Sequence, residues 1–564
     1  MAGVARPQVF AFHHLGGMYP GPIYDEASGA SPALWWFRLC TLLYAAGCLG
    51  LARRSSWILA FLPALALSTQ ASRLHWRATD SLLDEELGGL EKTEHLVLHF
   101  PREKKPEERV LLARDAEVQW RAVREFLGAG GGGIHVWFFR SAEEKRRLIG
   151  AADTSFTKPW LRQIHTNDEP APHHLLRHEL VHAVGADVAG GPWKVPGGLV
   201  PQMAFVEGIA VAGDWPPGEL TVHEETRAMK ELGRLPDMAR LFRPGSFYGE
   251  SSAVAYTAAG SFVRFLWETR GARFVQDAYA GRAPLGDLPA LAAEHARFLD
   301  RLPRNARAVA LLEQRFAAPA IVRKRCAHEV AGLLREAAAA PPARAVALWG
   351  RCAALEPDDP GFLIALRRAQ AAAGDPDGAR ATQDRILSHP KLSKPQRALV
   401  LTEAGDATWR AGDATQALFL YGQAAALPQG EAAERALEAR RIGASDAKTW
   451  PALRRLLADN DTGPDVLLAL RDLDLARPRE GLFAYLIAKQ LQNRGAWPEC
   501  GRYAQGALSR ELPGPLFVAE ALRMRGIAAW HAGETAPARA AFERLGQDAP
   551  PGRALEAQRW LDRL

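Results

Sequence analysis

The chain has 564 residues, 48% hydrophobic and 24% charged, which is the balance of a folded protein and too much length for a single core. Its formal charge of +6 comes from 70 Lys and Arg scattered among 64 Asp and Glu, with no basic stripe interleaved with aromatics. Nucleic acid is therefore not an expected partner, and five cysteines without zinc-knuckle spacing exclude a disulfide scaffold.

Residues 1–32 are rich in aromatics, Gly and Pro without a helical period, and are expected to form an extracytoplasmic segment along a membrane surface. Residues 33–52, ALWWFRLCTLLYAAGCLGLA, have the ~20 residues that a bilayer crossing needs; Arg38 is close enough to one end to snorkel. Arg53-Arg54 and a second apolar stretch, SSWILAFLPALALSTQAS, follow. Together, residues 33–72 predict a transmembrane helical hairpin with the Arg pair in a cytoplasmic turn and the remainder periplasmic. Two readings compete: a signal-peptide core ending near Ala64-Leu65-Ala66, and buried helices of a soluble domain. Cys40 and Cys48 are expected to face lipid or pack within this region.

From about residue 93 the period changes. HLVLHF (95–100) alternates like a strand, and 106–128 has apolar residues at helical spacing. The run Gly130–Gly133 lacks a following phosphate-binding Lys-Ser/Thr and predicts a plain loop. IHVWFF (134–139) predicts a second strand, SAEEKRRLIG a capped helix, LRQIHT (161–166) a third strand, and a helix begins near Pro172. This order predicts an α+β domain over 93–285.

That last helix carries His178-Glu179-Leu180-Val181-His182. Histidines at i and i+4 lie about 40° apart around a helix and about 6 Å apart along it, so both imidazoles reach one metal ion. Glu179, to one side, is placed to take a proton from an activated water instead of ligating. A catalytic zinc needs a third protein ligand. The metzincin pattern has its glycine at Gly185, but position 188 is Val and Asp187 is one residue short of the aspartate variant. Further on stands Phe205-Val206-Glu207-Gly208-Ile209-Ala210.

HELVH followed by VEGIA resembles the peptidase MA-like gluzincins, relatives of thermolysin and aminopeptidase N, over roughly 93–285. The resemblance implies a zincin fold in which His178, His182 and Glu207 bind zinc and Glu179 is general base and acid. It implies that 161–166 is an edge strand pairing with extended substrate. Gly208 is expected to let the second helix lie close against the first. His165 is expected at the surface, and His173 and His174 at the helix start, as caps or packing. Residues 256–266, with Gly271, are similar to the helix on which aminopeptidase-N relatives carry a catalytic tyrosine, which implies Tyr256 as oxyanion donor; Tyr248 is the alternative. Two departures stand out. GGPWKVPGG lengthens the gap before Glu207, and the Gly-x-Met-x-Asn motif for a free N-terminus is absent, so endopeptidase action or a narrow-specificity processing role is expected.

Beyond about residue 285, Ala-rich helices alternate with Gly/Pro turns. Gly405, Gly412, Ala417, Tyr421 and Ala424 fall at the small and aromatic positions of a tetratricopeptide repeat. Gly526, Gly533, Ala538 and Phe542 repeat the spacing of the first four of those residues, with Pro550 after them, and Gly374, Ala379 and Pro390 form a weaker copy. Residues 286–564 thus resemble a tetratricopeptide-like α-solenoid that docks a protein substrate or partner, with an unrelated helical bundle as the alternative. Cys326 and Cys352 flank the Pro341-Pro342 turn; they are expected either to pair or to be small buried residues, and Cys500 to be a free buried thiol. The expectation is a membrane-anchored zinc metallopeptidase. Its rival is a non-catalytic repeat scaffold with a vestigial zincin domain. Asn167, Asp168, Glu169 and Asp187 around the motif helix argue against an intramembrane protease.

Overall fold

The computed structural model describes residues 6–19, 32–317, 320 and 327–564. It is mostly helical, 65%, with a small mixed sheet and one N-terminal helix long and apolar enough to cross a membrane. The chain divides into two compact units: residues 1–214, 236–295 and 319–340, and residues 215–235, 296–318 and 341–564.

In the first unit, β1 (Ala11–His13) and β2 (Gly17–Tyr19) form a small antiparallel pair. It packs on α1 (Pro32–Arg53), where the His14 ring stacks on Phe37 at 4.7 Å. Residues 6–10 are tied to the sheet domain: the Val9 N–H donates to the Ile149 carbonyl, and the Gln8 side chain accepts from the Ala78 N–H. The chain turns after α1 and runs back as a 3₁₀ segment (Ser56–Ala60) and α2 (Phe61–Thr69). Gly47 of α1 meets the Phe61 ring and Gly50 the backbone at Trp57 and Ile58. This returning arm is shorter than the span expected from the sequence: among the described residues only α1 meets the length for a crossing. Cys40 is buried between the arms, its Sγ 3.5 Å from the Ala64 carbonyl oxygen, and Cys48 is exposed.

The elements that follow are α3 (Asp80–Leu87), β3 (Gly88–Lys92), β4 (Leu96–Pro101), α4 (Pro106–Leu127), β5 (Ile134–Phe139), α5 (Ala142–Ile149), β6 (Phe156–Lys158), β7 (Gln163–Asn167) and α6 (Leu176–Gly185). Local chemistry sets several ends. Ser141 caps α5 by accepting from the Glu144 N–H, and Gly128 and Gly150 close α4 and α5 in left-handed conformation. The sheet order is β3-β4-β5-β7-β6, with β4, β5 and β7 parallel and both outer strands antiparallel to their neighbours.

This order corrects the expected edge. The strand before the motif helix, β7, is internal, because the three-residue β6 pairs along its outer side. Its position also corrects His165, which is fully buried rather than at the surface. His99, Trp137, His165 and Phe156 lie in register on one face and stack in a row, at 4.4, 5.1 and 4.9 Å between successive rings. The side chains of α3 and α5 cover Trp137 within a cluster that includes Leu83, Leu87, Leu148 and Ile149. Burial, with the nearby Lys158 and Lys145 charges, holds His165 well below the ordinary histidine pKa.

Next come α7 (Met203–Asp214), then α8 (Val222–Glu231), which belongs to the second unit, and, back in the first, α9 (Met238–Leu241), α10 (Ser252–Arg270) and α11 (Ala272–Tyr279). The expected role of Gly208 is corrected here: a Cβ at Gly208 would stand 2.9 Å from the Ala259 carbonyl oxygen and from Val263, so this glycine admits α10, not α6. The glycine of α7 that meets α6 is Gly213, which faces Val181 and also Phe126 of α4.

In the second unit the regular elements among the described residues are all helices, apart from one isolated bridge between Glu480 and Glu511. The two matching segments build the same contact. Gly405 of Lys394–Arg410 lies under the Tyr421 ring, and Gly526 of Pro515–His531 under the Phe542 ring. Ala417, Tyr421, Ala424, Ala538 and Phe542 are all fully buried. Cys500 is a buried free thiol, as expected. Cys326 lies outside the described residues; Cys352 is a buried free thiol, which matches the small-residue alternative and not the pairing.

Candidate metal centre

Helix α6 is apolar around most of its circumference, with Leu176, Leu180, Val181, Ala183 and Val184 completely buried. That burial fixes its rotation and leaves the His178, Glu179 and His182 stripe facing α7 and β6. The main chain around α6 and α7 is pinned further by Arg177, whose Nε donates to the Gly213 carbonyl at 3.1 Å.

All the site residues expected from the sequence converge. Nε2 of His178 and Nε2 of His182 each lie 3.4 Å from Oε2 of Glu207. The two imidazole centroids are 5.0 Å apart and their planes 78° to one another. One ligand atom from each of the three residues falls within 4.8 Å of the other two. A tetrahedral zinc with bonds of about 2.0–2.1 Å to nitrogen and oxygen sets its ligand atoms about 3.3 Å apart. The two imidazole–carboxylate spacings match that figure, and a donor set of two imidazoles and one carboxylate suits the ion.

Electrostatics point the same way. Burial alone would depress His178, but the hydrogen bond to Glu207 and the charges of Glu179 and Glu207 outweigh it and raise its pKa to about 9. Burial would raise Glu207; His182, with the hydrogen bonds of both imidazoles, overrides it and holds this carboxyl far below the usual range. Without a metal the cluster is thus a buried ion pair that a cation must enter by displacing protons.

Tyr256, in the first turns of α10, comes to the same place: its ring lies 6.4 Å from that of His178 and 5.3 Å from Phe247. Burial, followed by the charges of Glu207 and Glu179, pushes its phenol far above the ordinary value, so it stays a proton donor. Tyr248, the alternative, is 45% exposed on the turn before α10. His173 is buried at the approach to α6, with Nε2 3.0 Å from the Asn167 carbonyl oxygen and its N–H donating to Asp115. His174 is exposed and paired with Glu169. Both sit at the helix entry as expected.

Two neighbours of the cluster were not expected. Thr157 of β6 donates its hydroxyl to Oε2 of Glu179 at 2.6 Å. Tyr279 of α11 is buried against Gly185, its hydroxyl has no hydrogen-bond partner among the described residues, and the Glu207 charge adds to burial in raising its pKa. Neither lies in a sequence motif; the only signal is the strand–helix contact itself.

No protein-family model matches the chain, and no curated protein matches it.

Proposed function

We propose that this chain is a membrane-anchored zinc metallopeptidase of the gluzincin type, with a tetratricopeptide-like repeat region. The observation that carries the reading is the convergence of both imidazoles on one Glu207 oxygen at 3.4 Å, with Glu179 buried beside them on the same helix. A five-stranded mixed sheet backed by α4 and α6, with an antiparallel edge, is consistent with a zincin fold.

Zinc held by His178, His182 and Glu207 would supply a Lewis acid that polarises a peptide carbonyl and acidifies a water. Glu179 takes the proton from the attacking water and returns it to the departing amine. Tyr256, kept protonated by its surroundings, donates to the carbonyl oxygen as charge develops there. The substrates are peptide bonds of proteins or peptides.

The anchor is α1, 22 residues with mean hydropathy 1.4, whose Trp35, Leu39, Leu42 and Leu51 are exposed as lipid-facing side chains would be. We read the shorter returning Ser56–Thr69 arm as the second leg of a hairpin, with Arg53-Arg54 in a cytoplasmic turn and both units periplasmic, a topology that the positive charge at the turn favours. The Gly405–Tyr421 and Gly526–Phe542 contacts support paired repeats, whose role is to dock a protein substrate or partner.

Metal analysis and a protein digest test this reading together. The purified chain is expected to hold about one zinc, which His178→Ala or His182→Ala abolishes. Glu179→Gln is expected to keep the metal and lose about 10²–10⁴-fold in turnover. A wild-type chain without zinc, or a fully active Glu179→Gln, removes it.

A further inference from the structure

We propose that Thr157, on the edge strand β6, is the positioning residue that holds Glu179 in its working orientation; this assignment rests on the metallopeptidase reading above. Thr157 pairs with Ile164 of β7, and strand alternation puts both on the sheet face covered by α6. Its neighbours face the other way: Phe156 stacks on His165 at 4.9 Å, and Lys158 donates to the carbonyls of Arg6 and Gln8 at 2.5 and 2.6 Å. Ser155 adds a hydroxyl contact to Thr166 at 2.8 Å. Short as it is, β6 is therefore anchored on both sides of Thr157.

From this platform the Thr157 hydroxyl donates to Oε2 of Glu179 at 2.6 Å, with the main-chain carbonyl of Glu179 as an alternative acceptor at 3.2 Å. Among the described residues no other side chain hydrogen-bonds the Glu179 carboxylate. A glutamate has three rotatable side-chain bonds, and a free one samples several rotamers. Threonine is β-branched and stiff at χ1, so its single donor defines one of them. With Oε2 engaged, Oε1 is the oxygen left to take the proton from water and pass it to the departing nitrogen. Thr157 keeps its own proton throughout, and donates to Oε2 whether the carboxyl is charged or protonated.

Thr157→Val removes the hydroxyl at nearly constant volume, and Thr157→Ser keeps it. A hydrogen bond to a charged group contributes enough to alter turnover by about 10–100-fold. Thr157→Val is expected to retain about one zinc per chain and lose about that factor in kcat, with KM within about threefold; Thr157→Ser is expected to stay within about threefold in kcat. In the Glu179→Gln background the Val substitution should cost nothing further, because there is no carboxylate base left to orient. The assignment is overturned if Thr157→Val matches wild type in kcat, if it fails to load zinc, or if it slows Glu179→Gln by the same factor as wild type. A wild-type chain that holds no zinc or cleaves no peptide removes the metallopeptidase reading itself, which separates the two failures.

Discussion

Asp406 in the helical region and Glu207 on α7 are both buried carboxylates, 6% and 8% exposed, with surroundings that differ in kind. Asp406 accepts from the Tyr421 hydroxyl at 2.6 Å and from Nε and Nη2 of Arg440 at 2.8 and 3.1 Å. Arg440 spends its other donors on the carbonyls of Ala436 and Leu457. That network is closed. Glu207 instead lies 3.4 Å through one oxygen from each of two imidazoles, beyond the ~2.7–2.9 Å of a good charge-assisted bond, and also accepts from the Tyr256 hydroxyl; Nδ1 of His182 has no partner among the described residues. Both acids meet a phenol; what differs is the cationic partner, a guanidinium at hydrogen-bonding distance for Asp406 and two longer imidazole contacts for Glu207.

Breaking each cluster should therefore have opposite consequences. The largest stability effect is expected in the closed one: Asp406→Ala strands the Arg440 charge and should cost about 3–5 kcal/mol in denaturant unfolding, with zinc content unchanged. Loss of zinc on that substitution would mean that the two clusters are not separable. In the open cluster, Tyr256→Phe should lower kcat by about 10²–10³-fold with metal retained and the melting temperature nearly constant. Turnover within about threefold of wild type would pass the donor role to Tyr248.

In the metal-free protein His178 titrates near 9, above its unfolded value of 6.5. Its contribution to stability is fully present below pH 6.5 and lost as pH rises through 9. Zinc affinity should run the other way, rising across the same window as the competing proton leaves. Thermal melts of chelator-treated protein, paired with zinc titrations, read both; a pH-independent affinity would contradict the ion-pair description. The smallest effect is expected from Gly405→Ala, which forces a Cβ to within 2.4 Å of the Tyr421 ring and should cost about 1–3 kcal/mol without altering turnover.

Much of the site was legible because it is local. His178 and His182 share a helix face whatever surrounds them, and α6 formed where HELVH required it. The helix carrying Glu207 follows from its own apolar run, and the Gly405–Tyr421 and Gly526–Phe542 contacts follow from spacing within one helix pair. Caps such as Ser141 and Gly150 are equally short-range. Tertiary structure decided what depends on partners distant in sequence. β6 is three residues long and shows no period, yet it takes the sheet edge from β7 and brings Thr157 onto Glu179. His165 reads as a polar residue on a strand, but its register with Trp137 and Phe156 buries it. Gly208 and Gly213 are alike in sequence, and only the helix crossings assign the first to α10 and the second to α6. Helical periodicity reports which residues share a face; which neighbour that face meets is settled only when the whole unit packs.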